Sequence, residues 1–217
     1  MYPLTVSKTL YDNVTPVAIT SSTDATPIVV TATSHGFTNG QRVLIFGHTT
    51  NIAANGIYVV SAVTTNTFSL TDEITGVNIA GSGQGAGAAG IAVLAPAIVE
   101  VSSFRNLVIQ VGTSGSATTT LKIAGSLGKT PLSSTGARII YPNFAGTIVP
   151  SNPYSFVQVV PLDTFTALAG ATGIVVAGTD VNNMYQINVN ALQFLTVFPV
   201  SWTQGAITVK LLAVTNA

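Results

Sequence analysis

Between residues 26 and 70 the chain is cut into short apolar runs, each closed by residues that bend a backbone. That punctuation suits strands and little else. Residues 28–33 alternate and are rich in β-branched side chains, which fit a half-buried pleated surface. His35-Gly36 closes the run, and Asn39-Gly40 follows, a pair that accepts the positive φ of a tight turn. Residues 43–46 form the next expected strand. Asn55-Gly56 turns the chain into 57–63, and Thr65-Asn66 turns it again into 67–70. With 71–80 as its last turn and closing strand, the stretch 26–80 is predicted to be a small, barrel-like β module.

The rest of the chain is read in the same way, so the expected class is all-β. Strands are predicted over 97–101, 107–111, 118–124, 155–160, 173–177, 184–189, 194–201 and 206–213, bounded by Gly, Pro, Asn or Ser clusters. Eight short strands at that spacing, with no amphipathic helix among them, predict a β-sandwich of jelly-roll type over 96–217. Thr203-Gln204-Gly205 reads as the turn of a closing hairpin, and Ser114 in GTSGS as another hairpin tip. Pro199 has no N–H to give a ladder, so it belongs at an edge or a bulge. Residues 1–25, with Pro3, Pro16 and a polar SSTD run, read as an N-terminal arm ordered by whatever it lies against. Residues 81–95 open with GSGQGAGAAG and read as a flexible hinge or a long hairpin loop joining the two β domains.

Only 6% of the residues are charged although 47% are hydrophobic; about 25% charged is typical. A chain so poor in charge hides surface against partners or coats it with Thr, Ser, Asn and Gly, and this one is rich in all four. The few charges are scattered and sum to zero, so the clustered positive footprint of a nucleic-acid binder is missing. With no Cys, disulfides, Cys-type zinc sites and thiol catalysis are excluded together. The mean hydropathy of +0.55 invites a membrane reading. Yet the longest apolar run, 91–99, contains Pro96 and falls far short of the ~18 residues a spanning helix needs. The opening MYPLTVSKTLYDN lacks the features of a secretory signal, and the uneven, Gly- and Pro-broken strands do not suit a membrane barrel. No membrane association is expected.

Two stretches resemble known families. HGFTNGQRV, AANGIYVV and TNTFSL, in that order, resemble a small β domain that recurs in virion proteins of tailed bacteriophages. That domain is often described by its likeness to the first catalytic-cysteine half-domain of ubiquitin-activating enzymes. The resemblance implies a structural module and no chemistry, since the cysteine is missing. Further on, TTLKIAGSL and then MYQINVNALQFLTVFPVSWTQGAITVKLLA are similar to β-sandwich domains of phage decoration and tail proteins. The basic residue that this second family often carries in the strand before the final hairpin is absent here.

The residues themselves supply little reaction chemistry. His35 and His48 have no partnering Cys and few nearby acids, too few ligands for zinc, and both read as turn or loop residues. Gly85, Gly87 and Gly90 spell GxGxxG, but a strand-like run follows where a dinucleotide site needs a helix. No serine-hydrolase elbow occurs. Asp72 and Glu73 are adjacent and point apart on a strand. Asp163 and Asp180 are the carboxylates whose meeting would make a glycosidase pair. Asp180, Asn182 and Asn183 offer oxygens of the kind calcium takes, without the spacing of an EF-hand, and read as a polar turn. Asn13-Val14-Thr15 matches a glycosylation acceptor by chance. Tyr141, Phe144, Tyr154 and Phe156 cluster among prolines and are the candidate subunit or ligand contacts.

The expectation is a non-enzymatic structural component of a tailed-phage particle, a capsid decoration or cement protein, with no catalytic residue, cofactor or metal. Its expected partners are the capsid lattice and further copies of itself, such as a trimer, and its place is the virion, assembled in the host cytoplasm. The alternative is a tail or head-fibre module that binds host-surface glycans.

Overall fold

The computed structural model describes residues 5–87, 89–126, 154–156, 159–162, 173–190 and 192–214. Strands dominate, and among the described residues the one helical element is a 3-10 turn at Ile52–Ala54, so the protein is all-β. The chain forms two units, Pro16–Ala95 and the combination of Met1–Thr15 with Pro96–Ala217. The smaller unit is thus inserted after the first strand of the larger.

In the smaller unit, β2 (Val17–Ile19), β3 (Ser21–Ser22), β4 (Val29–Thr31), β5 (Arg42–Phe46), β6 (Gly56–Ser61), β7 (Thr67–Thr71) and β8 (Gly90–Leu94) pair in the order β2-β8-β5-β6-β7-β4-β3. β2 and β3 are separated only by Thr20, whose N–H donates to Thr31 O at 2.9 Å, so the sheet closes on itself. Closure removes the edges that an open sheet of uncharged strands would offer to other chains. Alternate residues fill the interior, with Ile28, Val30, Val43, Ile45, Tyr58, Val60, Phe68 and Leu70 all at 1% exposure or less. The turns act as the residue types dictate. Gly40 takes φ +86°, and the Asn39 side chain accepts from Val63 N–H at 3.0 Å. His35 Nδ1 accepts from Phe37 N–H at 3.0 Å, and its ring stacks on Phe37 and meets the edge of Phe68.

The Gly-rich stretch departs from the hinge expectation, because it is bound into this unit. Gly81 N–H donates to Ala25 O, and Gly83 and Gly85 donate to the two oxygens of Asp24 at 3.0 and 2.7 Å. Gly87 exchanges two backbone hydrogen bonds with Ser22, both 2.9 Å. One intermediate-exposed carboxylate and a strand edge replace the freedom that the composition implied.

The larger unit is built on two strands of 21 residues each, β10 (Asn106–Ser126) and β15 (Phe194–Val214). They pair antiparallel from Leu107 and Ala213 to Ser126 and Phe194. β1 (Thr5–Val14) lies along the C-terminal half of β15, and β9 (Val99–Glu100) meets its beginning. On the other side of β10 come β14 (Asn182–Asn188), β13 (Ile174–Thr179) and β11 (Tyr154–Phe156), with β12 (Val159–Pro161) outside β14. The expected arm is therefore split. Residues 5–14 form a strand whose Leu10, Tyr11 and Val14 are buried, and 17–22 help close the smaller barrel.

Two expected hairpins are absent. GTSGS does not reverse β10, and Thr203-Gln204-Gly205 does not reverse β15; each runs on, and the pairing skips residues between Ser114 and Thr118. The reason is that Gly115 and Gly205, at φ +70° and +80°, occupy one bulged level of one ladder. A turn-like residue with positive φ makes a bulge as readily as a hairpin when its neighbour bulges with it. Pro199 lies beside a second register shift, where Leu121 pairs Pro199 while Thr120 pairs Ser201.

Candidate functional site: a polar hollow at the bend of the sheet

The bulge is shared by a third strand position. β13 ends opposite Ser116 and β14 begins opposite Gly112, so 174–188 follows β10 as one interrupted line, bent at Asp180. Asp180 has φ +53°, and its Oδ1 accepts from Gly115 N–H at 2.9 Å while its own N–H donates to Gly115 O at 3.3 Å. Thr113 and Val181 clasp one level away: Thr113 N–H donates to Val181 O at 2.9 Å and Val181 N–H to Thr113 Oγ1 at 2.8 Å. Of the polar turn expected over Asp180, Asn182 and Asn183, only Asp180 lies at the bend; Asn182 and Asn183 open β14, because they pair with Gly112 and Val111 of β10.

Beside the seam lies a hollow of about 270 Å³, lined by Gln110, Gly112, Thr113, Asp180, Val181, Asn182, Thr208 and Lys210. Register explains it. Gly112 pairs with Thr208 on one side and Asn182 on the other, so the missing side chain leaves a floor between two polar walls. Gln110 pairs with Lys210, and its Nε2–H donates to Asn182 Oδ1 at 2.8 Å. Thr208 Oγ1 accepts from Asn13 N–H at 3.0 Å, which leaves its hydroxyl proton to donate. Asp180 keeps Oδ2 open, and no carboxylate among the described residues holds the exposed Lys210 ammonium. With one ammonium, one carboxylate and several uncharged donors and acceptors, the lining suits a ligand rich in hydroxyl groups. It offers one carboxylate, where glycoside hydrolysis by the usual route takes two.

The other residues singled out in the sequence sit elsewhere. Asp163, Tyr141 and Phe144 lie outside the described residues. Tyr154 and Phe156 place their backbones in β11, opposite Ser126 and Ala124. Asp72 Oδ1 accepts from Ile74 N–H, Thr75 N–H and the Thr75 hydroxyl, and Glu73 pairs with Arg42 at 2.7 Å. Asn183 Nδ2–H donates to the Tyr185 hydroxyl at 3.4 Å. Among the described residues no group of three or more His, Cys, Asp or Glu is placed to hold a metal, and no helix is long and apolar enough to cross a membrane. Sequence reasoning missed Gly112, Gln110, Thr208 and Lys210. A glycine inside a β-branched run was the available signal, since such a glycine often marks a bulge or a close approach.

The seam makes a stability prediction. Asp180→Ala removes the acceptor of Gly115 N–H and puts a β-carbon without a local hydrogen bond at φ +53°. We expect a loss of about 2 kcal/mol. Asp180→Asn keeps an acceptor and a residue type that tolerates that conformation, and is expected to lose less than about 1 kcal/mol. Urea unfolding followed by the fluorescence of Trp202, the single tryptophan, measures both.

No protein-family model matches the chain, and no curated protein sequence matches it. Solved structures with some likeness include the SPBc2 prophage-derived protein YomS, at 17% identity and a TM-score of 0.35, covering 55% of this chain and 80% of that one. Another is the PBSX exported protein XepA, at 11% identity and a TM-score of 0.32, covering 98% of this chain and 82% of that one. At these values the likeness carries no argument about function.

Proposed function

We propose that this chain is a non-enzymatic structural subunit of a tailed-phage particle, a capsid decoration or cement protein that stabilises a shell through apolar contacts between subunits. The observation that carries the proposal is the scarcity of charge, seven basic and seven acidic side chains in 217 residues. The resemblance of its two quoted stretches to phage virion domains agrees with it. Exposed apolar side chains supply contact points: Val175 and Met184 in the larger unit, Ile74 and Val77 in the smaller. Such contacts stabilise association by about 25 cal/mol per Å² of apolar area before the costs of association are subtracted. The partners are the shell lattice and further copies of the chain, such as a trimer, and the location is the virion.

Contacts of this kind respond little to ionic strength. Purified particles carrying the protein, sedimented with and without molar sodium chloride, are expected to retain it equally. Release of folded protein by salt alone would overturn the proposal. A second reading, a tail or head-fibre module for host-surface glycans, is favoured by the polar hollow at Lys210 and Asp180. A glycan array separates the two. Binding that Lys210→Ala abolishes supports the glycan module, and a blank array supports the cement protein.

A further inference from the structure

The smaller barrel buries an imidazole in an unusual way. His48 follows β5 and Gly47, and its backbone is fixed by the Asn55 side-chain amide, which accepts from His48 N–H at 3.0 Å and donates to His48 O at 2.8 Å. The ring is 4% exposed, and neither Nδ1 nor Nε2 has a hydrogen-bond partner. Glycine backbone packs against the ring. A β-carbon on Gly87 would stand 2.6 Å from Nδ1 and 2.5 Å from Ser22 Oγ, and one on Gly90 would stand 3.2 to 3.3 Å from Nε2, Cδ2 and Cε1, over the ring face. The Gly-rich segment therefore lies directly on the ring, and at position 87 only glycine permits that approach.

The elements around the ring offer no countercharge at contact. Residues 47–55, the segment 81–90 and β8 contain no ionisable group besides His48 itself. β3 presents Ser22, whose hydroxyl accepts from Asn51 Nδ2–H at 3.1 Å. Asp24, just beyond β3, holds Gly83 and Gly85 and makes no ion pair with His48. Arg42, at the far end of β5, is held by Glu73. His35 is packed on Phe37 and Phe68.

We propose that His48 is the catch of an acid-released strap: a proton on its ring frees residues 81–87 from the barrel and bares the edge of β3. An imidazolium carries two N–H donors, and neither ring nitrogen has a hydrogen-bond partner in the closed form. The strap itself is held by hydrogen bonds to Asp24, Ser22 and Ala25 and by longer ones from Ser82 to Asn51 and Thr50, and its one long side chain, Gln84, is exposed, so it is the segment that gives way. Release unpairs Ser22 N–H and O, which Gly87 now occupies. This device is independent of the proposed place in a phage particle.

Burial lowers the His48 pKa below its ordinary value. The closed form therefore holds fewer protons than the open one below about pH 6.5, and closure is fully favoured above that pH and lost as pH falls. The test is hydrogen exchange at the Gly85 and Gly87 amides of the full chain between pH 7.5 and 5, corrected for intrinsic exchange. The opening constant is expected to rise about tenfold per pH unit below ~6.5, down to the closed-form pKa. His48→Gln should flatten that slope, and Asp24→Asn should raise opening at every pH while leaving the slope unchanged. Equal opening at both ends of the range, or an undiminished slope in His48→Gln, overturns the proposal. Should His48→Gln fail to fold, NMR titration of the wild-type ring decides: a pKa below ~6.5 supports it, and one at or above ~6.5 overturns it.

Discussion

Deleting residues 1–14 is expected to unfold the larger unit, a stronger result than the loss of a peripheral arm. β1 pairs with β15 from Thr5 opposite Val214 to Val14 opposite Ile207. It contributes Leu10, Tyr11 and Val14 to the core, at 3%, 2% and 9% exposure. At about 2 kcal/mol for each buried apolar side chain, the loss comes to roughly 6 kcal/mol, the scale of a whole domain's stability. Deletion also bares the edge of a 21-residue strand, which invites aggregation. Trp202 reports the outcome, because its ring meets that of Tyr11 edge-on at a centroid distance of 6.0 Å. Red-shifted emission, loss of cooperative urea unfolding and recovery on adding a peptide of residues 1–14 are expected. A truncated chain that unfolds at the unaltered urea midpoint would show that β1 is dispensable.

The same strand shows where sequence reading stops. In 26–70 the period-two pattern and the Asn-Gly turns act within a few residues of each other, so local rules suffice, and β4 to β7 fall where the pattern puts them. β1 is different. Leu10 and Tyr11 are neighbours, and the register slips between Thr9 and Tyr11 and again before Val14, so alternation is broken at the residues that matter. Its partner, moreover, is about 200 residues away in the chain, and no local rule carries that information. The Gly-rich segment fails for a related reason. Its composition states only that the backbone is permissive, whereas Asp24, Ser22 and the His48 ring decide which conformation it takes. The hollow depends on the pairing of Gly112 with both Thr208 and Asn182. It became visible only once three distant stretches were placed side by side. Lys122 is a further case. It is 6% exposed and burial lowers its pKa, although a lysine in an alternating strand normally reads as a solvent position.

Gly205 and Gly115 provide the sharpest test of the bulged ladder, since they share a level and a backbone conformation but differ in the room around them. An added β-carbon at Gly205 would lie 2.3 Å from Ser116 O and 2.5 Å from Ala117 Cα, both backbone atoms. At Gly115 nothing lies within 4 Å of that position. Gly115→Ala therefore incurs only the left-handed conformation and is expected to cost about 1 to 2 kcal/mol. Gly205→Ala adds a steric conflict that backbone alone can relieve, for a total of about 4 kcal/mol. The displacement would also reach Trp202, whose Nε1–H donates to Gly205 O at 3.0 Å, so the fluorescence of the folded state should change along with the urea midpoint. A hairpin at 203–205 predicts something else. An exposed turn glycine has open space around it, and the two substitutions would then cost the same. Equal losses at Gly205 and Gly115 would mean that β10 and β15 do not run through their bulge as one ladder, and the seam at Asp180 and the hollow beside it would fall with that ladder.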